Sequence, residues 1–351
     1  MNRLSFALLC STALSLSASA ALAQEELNAL VWCDHTDPAL IEPFETANNV
    51  KVNLREYEGT GAALALLEQS RPGDWDVLVI DGIDVFRAVD AGILAPLDPG
   101  TLPTGDFFPE VVMAENNTID GVTYAVTEKF GYNTISYNAD KVDPADMESL
   151  GTVWSETYDG RISIYDYYLP VMGLAAMAEG IATADIDGDD LEAIGGVLST
   201  MRTRAASVAG VVAAQTALAT GEVDIVVGGG EWLTAVLATE QPELTWTIPK
   251  EGAVRWAQSI GVVEGSEIPD MAQKFIEYIV SPEGQARLAT SSCFWGMPAN
   301  AKAGDFLSDA QKATLRWDEQ ADYLARTQLY PAPDTELDAE MQDLWLETLA
   351  Q

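Results

Sequence analysis

The sequence predicts an α/β protein, and three observations carry that prediction. Strand and helix patterns alternate through residues 27–92. Two runs, DVLVI at 76–80 and VDIVV at 223–227, are continuous and apolar, as strands buried on both faces are. The 351 residues suffice for one large or two medium domains with a substantial core.

In chain order, residues 27–32 form a short apolar strand. Asp37 and Pro38 read as the cap and first position of a helix whose face carries Leu40, Ile41 and Phe44. Val50, Val52 and Leu54 alternate, so a second strand follows. Residues 59–70 form a helix entered through Gly59-Thr60-Gly61, and 83–91 a helix closed by Gly92. Segments 123–126, 133–138 and 162–164 are extended. Helices are expected at 171–178, 191–204, 211–219, 271–279 and 338–349, from Glu231, and from Ser281-Pro282. Near the C-terminal side, runs 244–248 and 259–263 flank a polar turn at Pro249-Lys250-Glu251-Gly252. Trp256 and Gln258 follow the turn two residues apart, so an extended chain aims both to one side. A hairpin with a buried Trp and surface Gln, and a site with an indole and an amide facing a common space, both fit.

The chain holds 55 acidic and 18 basic residues, a formal net charge of −37. Nucleic acid and anionic lipid are poor partners for such a surface. With 48% hydrophobic residues the chain is not of disordered composition. Residues 1–23 read as a cleavable secretory signal: Asn2-Arg3, an apolar run at 4–16, and Ala21-Leu22-Ala23 before Gln24. Cys10 lies inside the apolar run and is not placed for lipid attachment. No later stretch is long and apolar enough to span a bilayer. An exported protein is expected, and its two remaining cysteines, Cys33 and Cys293, are permitted one disulfide; two buried thiols are the alternative.

Several motifs carry less than they suggest. Asp185-Ile-Asp187-Gly-Asp189-Asp190 lacks the Gly and Glu that a calcium loop requires at its sixth and twelfth positions, and reads as a capping turn. Gly228-Gly229-Gly230 has no following Lys-Ser/Thr; it is a strand-to-helix turn or a row of free N–H groups. His35 is the single histidine, which rules out a multi-histidine zinc site, and no G-x-S-x-G element supports a serine device. Paired-carboxylate hydrolysis in a secreted enzyme stays open, because so many acids always offer pairs. The strand ends are more informative. Trp32 and Asp34 follow the first strand on one side, and Asp81 follows DVLVI in the equivalent place. Indole faces with carboxylates suit an alkylammonium ion: cation–π contacts contribute roughly 0.5–2 kcal/mol each and charge-assisted hydrogen bonds about 1.5–3 kcal/mol.

These features resemble the periplasmic spermidine/putrescine-binding proteins of ABC transporters. The similarity runs through VWCDHTDPALIEPFE, DWDVLVIDGIDVFRAVDAGILAPLD, YDGRISIYD, GEVDIVV, IPKEGAVRWAQSIGVVEGS and AQKFIEYIVSPEGQARLA. It implies a two-lobe periplasmic-binding-protein fold with strand hinges and a central ligand cleft. The lobes are expected at 24–132 plus about 257–315, and at 133–256 plus about 316–351. The resemblance places Trp32, Asp34, His35, Asp81, Asp166, Trp232, Trp256 and Gln258 at the ligand. Gln258 stands where these proteins carry Asp, Pro170 falls near another expected acid, Gly229 replaces an aromatic, and Glu128, Lys129 and Phe130 occupy a more aromatic or apolar stretch. Losing an acid weakens a dication site, so a second expectation is a zwitterionic ω-amino acid with its acid end on Lys129, Arg255 and the glycine turn. The related ferric-ion-binding proteins need a Tyr pair after the strand matching VDIVV, and Gly228–Trp232 holds none. The implied role is a monomeric, non-enzymatic periplasmic receptor, without cofactor or metal, that hands an amine to an inner-membrane permease.

Overall fold

The computed structural model describes residues 24–351; the expected signal segment and Cys10 lie outside them. The strands are β1 (Glu25–Val31), β2 (Val50–Glu56), β3 (Val77–Asp81), β4 (Thr118–Ile119), β5 (Val122–Thr123), β6 (Val126–Asn138), β7 (Ile162–Tyr165), β8 (Ala205–Ala209), β9 (Ile225–Gly229), β10 (Leu244–Thr247), β11 (Ala253–Val262), β12 (Met297–Pro298) and β13 (Thr327–Leu329). They run in the order β2-β1-β3-β11-β6-β9-β7-β8, with β10 and β12 on β6, β13 on β11, and β4-β5 a separate ribbon.

Two parallel wings result. β1, β2 and β3 pair in parallel, as do β7, β8 and β9. Between them, β11 and β6 pair antiparallel with each other and with the adjoining strands β3 and β9. Both middle strands are buried along their whole length. They also pass from one core to the other. Phe130, Tyr132, Ile260 and Val262 pack with Leu27, Val79 and Phe275, whereas Ile135, Tyr137, Val254 and Trp256 pack with Ile164, Val227 and Met172. A third cluster, with Leu30, Leu78 and Ile80, fills the other face of the first wing. This is the two-lobe α/β architecture in which long strands join the halves.

Local signals behave as their chemistry requires. Asp37 caps the helix Pro38–Asn48 through the Ala39 N–H at 2.9 Å, and Ser281 caps Pro282–Ala289 through the Gly284 N–H at 3.1 Å. The acidic turn at 185–190 is a pair of 3₁₀ turns closed by a capping box between Asp187 and Asp190. Among the described residues no group of three or more His, Cys, Asp or Glu side chains is arranged to hold a metal ion.

Two expectations change, and one strand has no counterpart among them. Segments 123–126 and 133–138 are not separate; residues from Val126 onward join one strand, because polar Thr127, Glu128 and Lys129 are buried and paired rather than looped out. β10 and β11 are not a hairpin with each other: β10 pairs with β6, and β11 with β3, β6 and β13. The strand AASVA at β8 has no apolar face to mark it, since none of its residues is fully buried.

Cys33 and Cys293 form a disulfide with Cα atoms 6.0 Å apart, closing a separation of 260 residues. It ties the turn after β1 to the segment following the helix Pro282–Ala289. Long loops gain most from such closure. Replacing both cysteines by serine is expected to lower stability by about 2–4 kcal/mol, read as a lowered Tm that dithiol treatment reproduces in the parent protein and not in the variant.

Candidate functional site

The turn after β1 places four buried charges together. Cys33–Thr36 is one 3₁₀ turn, and it drives Asp34 and His35 inward. Asp34 Oδ1 meets His35 Nδ1 at 2.8 Å, and His35 Nε2 meets Glu128 Oε2 at 3.0 Å. Lys129 Nζ donates to the second oxygen of Asp34. Glu128 and Lys129 are consecutive, and consecutive strand residues normally face opposite ways. Here the β6–β11 register shifts: Lys129 lies opposite Gln258 and Thr127 opposite Ser259, leaving Glu128 as an extra residue. This bulge lets both side chains reach one cluster, as bulges beside binding sites do.

The cluster holds its protons firmly. Burial alone would raise the Asp34 carboxyl, but Lys129 and His35 hold it well below the usual carboxylate range. Burial alone would depress His35, but Glu128 and Asp34 push it up to about 10, so it is an imidazolium at neutral pH. The chain Lys129⁺–Asp34⁻–His35⁺–Glu128⁻ sums to zero.

Register carries the site across the sheet. Gln258 on β11 lies opposite Asp81 on β3 and opposite Lys129 on β6. Directly opposed residues share a face, so Asp81, Gln258 and Lys129 form a row: carboxyl, amide, ammonium. Gln258 is buried with its Oε1 unbonded, and Glu128 Oε1 and Trp232 Nε1 are likewise without partners. Among the described residues Asp81 has no cation paired to it. Burial first, and Asp84 second, push its carboxyl up to about 7.

Aromatic rings gather at the neighbouring strand ends. Trp32 meets Tyr57 edge-on at 6.1 Å, and Trp232 meets Tyr165 at 5.4 Å and Phe294 at 6.1 Å. Tyr167 packs on Tyr330 at 5.7 Å. Burial raises the phenols of Tyr165, Tyr167 and Tyr330, and the Asp81 charge adds to the rise in all three. Trp256 lies under Lys129, whose Nζ is 5.9 Å from the ring centroid. Beside it, Glu231 is buried, and both its oxygens accept from the Tyr132 N–H at 3.1 and 3.2 Å. Burial pushes Glu231 up to about 8 against those hydrogen bonds. Gly131 makes room for this packing: a Cβ there would stand 1.9 Å from Glu231 Oε1 and 2.3 Å from the Trp256 ring.

Of the residues expected at the site, Trp32, Asp34, His35, Asp81, Trp232, Trp256 and Gln258 fall in or against this arrangement. Asp166 does not. It is exposed and accepts from Trp345 Nε1 at 3.3 Å, because alternation along the chain turns Tyr165 and Tyr167 inward and the residue between them outward. The expected anion pocket is not assembled either. Lys129 is spent on Asp34. Arg255 alternates away from Trp256 and Gln258, donating to Thr327 Oγ1 at 3.0 Å and the Glu110 carbonyl at 3.0 Å. The glycine turn leads into a helix of only four residues, Glu231–Thr234, with Gly230 pressed against the Tyr132 carbonyl. The sequence marks Glu128 as a departure and Lys129 as a departure or an anion partner, and it does not single out Tyr57, Tyr165, Tyr167, Glu231, Phe294 or Tyr330 for the site. The YDYY run after a buried strand was the signal available for two of them.

The arrangement offers a cation one uncompensated carboxyl and several ring faces, and it offers an anion no free positive group among the described residues. Comparison with known proteins gives a family and several relatives. The model of a family described as bacterial extracellular solute-binding protein matches residues 39–315. The chain is 25% identical over 295 residues to the spermidine/putrescine-binding periplasmic protein of Escherichia coli K12, covering 82% of this chain and 83% of that one. It is 26% identical over 303 residues to the putrescine/agmatine-binding protein of Pseudomonas aeruginosa PAO1, covering 81% of each. It superposes on a putative spermidine/putrescine ABC transporter structure from Listeria monocytogenes with TM-score 0.77 at 23% identity, over 92% of this chain and 98% of that one.

The buried cluster makes a pH prediction. His35 titrates at about 10 in the fold against an ordinary 6.5. A raised pKa means stability that is fully present below the ordinary value and is lost as pH climbs through the folded one. His35→Gln should therefore lower Tm strongly at pH 6, with the gap to the parent closing toward pH 10. A gap that stays constant over that range would contradict the charged state of His35.

Proposed function

The chain belongs to the bacterial extracellular solute-binding protein family, and on that premise we propose that it is the periplasmic receptor of an ABC transporter for a polyamine or related small aliphatic amine. It captures the solute and delivers it to an inner-membrane permease. The observation that carries this reading is Asp81: a half-buried carboxyl at the end of β3, in register with Gln258, with no cation paired to it among the described residues. An ammonium placed there gains a charge-assisted hydrogen bond and ring faces together. The printed ligands of the relatives, spermidine, putrescine and agmatine, are of the same chemical kind. A free amino acid's carboxylate would find Lys129 and His35 already neutralised.

In this reading the lobes comprise 24–132 with about 257–315, and 133–256 with about 316–351. Trp246, Ile248 and Tyr323 pack with the first core and brace the crossing strands. Trp32, Asp81 and Gln258 come from one side of the cleft, and Tyr165, Tyr167 and Trp232 from the other. A ligand that touches both sides only when they meet favours the closed form. Residues 1–23 serve as the export signal.

A thermal-shift panel of putrescine, spermidine, agmatine, 4-amino-1-butanol and γ-aminobutyrate at millimolar concentration tests the reading. Folded-state binding adds about 4 kcal/mol at a thousandfold excess over Kd, and the expected result is a shift with at least one amine that lacks a carboxylate. A shift with γ-aminobutyrate alone overturns the amine assignment, and ligand recovered chemically altered overturns the receptor role.

Asp81→Asn separates binding from stability. It removes a buried carboxyl that is costly to ionise, so apo Tm at pH 8 should hold or rise, while amine affinity falls roughly 10–100-fold. A fall in apo Tm together with unchanged affinity would show that Asp81 is structural. In the parent protein, amine affinity should drop as pH falls from 8 to 6, because Asp81 takes up a proton near pH 7 while the alkylammonium stays charged.

A further inference from the structure

Resting on the amine reading, we propose that Lys129 is a built-in ammonium that fills one of two amine subsites, so that the ligand carries a single cationic head and a neutral hydrogen-bonding far end. Lys129 Nζ sits against the Asp34 carboxylate and 5.9 Å from the Trp256 ring centroid. A carboxylate beside an indole face is the environment that an alkylammonium ion seeks. The chain supplies its own.

The row Asp81–Gln258–Lys129 sets the consequences. Asp81 at one end receives the ligand's ammonium. At the other end a second ammonium would meet Lys129, with the Asp34 oxygens taken by Lys129 and His35. Glu231 gives no alternative, since both its oxygens accept from Tyr132 and it is fully buried behind Gly131. What remains unpartnered at that end is two acceptors, Gln258 Oε1 and Glu128 Oε1. The Glu128 charge is offset by the His35 imidazolium bonded to its other oxygen. Acceptors without net charge suit a hydroxyl or amide donor. A carboxylate would face the same two oxygens and be repelled.

Three probes of one length decide the matter: 4-amino-1-butanol, 1,4-diaminobutane and 4-aminobutanoate. They share the ammonium and the four-carbon chain, and differ in a far end that is neutral, cationic or anionic. Calorimetry on the mature parent protein at pH 7.5 should give the aminoalcohol at least tenfold tighter than either other probe. Lys129→Ala frees Asp34 and Trp256, and should invert the order, with 1,4-diaminobutane gaining at least tenfold. In Lys129→Ala/Asp34→Asn the freed space is the same but the carboxylate is gone, so the diamine gain should vanish. That control separates charge from added room.

The parent's own ranking decides the proposal even if Lys129→Ala fails to fold. Diaminobutane equal to or tighter than the aminoalcohol overturns the built-in ammonium while leaving the amine reading intact. Aminobutanoate as the tightest probe overturns the neutral far end. Binding of none of the three overturns the amine reading and this inference with it.

Discussion

Four charged side chains share a site from which water is excluded, and the rest of the molecule is arranged so that they can. An isolated ion moved into such surroundings costs several kcal/mol even after relaxation. Asp34, His35, Glu128 and Lys129 escape that cost only as a closed set, each positive group against a negative one. Two covalent and backbone devices close it. The Cys33–Cys293 bond fixes the turn that carries Asp34 and His35, and the bulge in β6 brings Glu128 and Lys129 to the same place. Because β6 continues into the second core, the cluster also fixes where the connecting strand leaves the first lobe. Lobe geometry and site electrostatics are thus one constraint.

Neutrality inside the cluster shifts the chemistry elsewhere. Asp34 stands at the end of the first strand beside an indole, which makes it the obvious amine partner, yet its oxygens are occupied. Asp81, at the end of the neighbouring strand β3, has no cation paired to it among the described residues, and burial raises its pKa. In the proposed reading, a binding group and a stabilising group of the same residue type are told apart by what sits next to them, not by what they are.

That distinction explains which parts were legible in the sequence. The alternation of strands and helices, the caps at Asp37 and Ser281, and the strand-end positions of Trp32, Asp34 and Asp81 follow from local periodicity and turn chemistry, which sequence displays directly. The pairing of Asp34 with Lys129 joins residues 95 positions apart, and the row through Gln258 needs the register of three strands. Neither leaves a local trace. Asp166 lies outside the row for a related reason. Its neighbours Tyr165 and Tyr167 hold the inward positions, and only the direction of β7 decides which of two alternating sets faces the cleft. The one available hint was chemical: a Glu-Lys pair inside a run destined for a buried strand demands partners, and a lone buried His between two acids is a ready one.

The surface charge and the buried row act on the solute at different ranges. A net charge of −37 draws cations toward the protein whatever their structure. Screening confines that pull to about 10 Å at 0.1 M salt, and within it a dication is attracted more strongly than a monocation. The long-range field therefore favours the wrong class if the cleft takes a single ammonium. Discrimination has to come from a short-range term of opposite sign. In the proposed reading, a lysine ammonium held by a buried carboxylate is such a term: it is shielded from salt by burial, it repels only the second charge of an incoming amine, and it leaves the first free to reach Asp81.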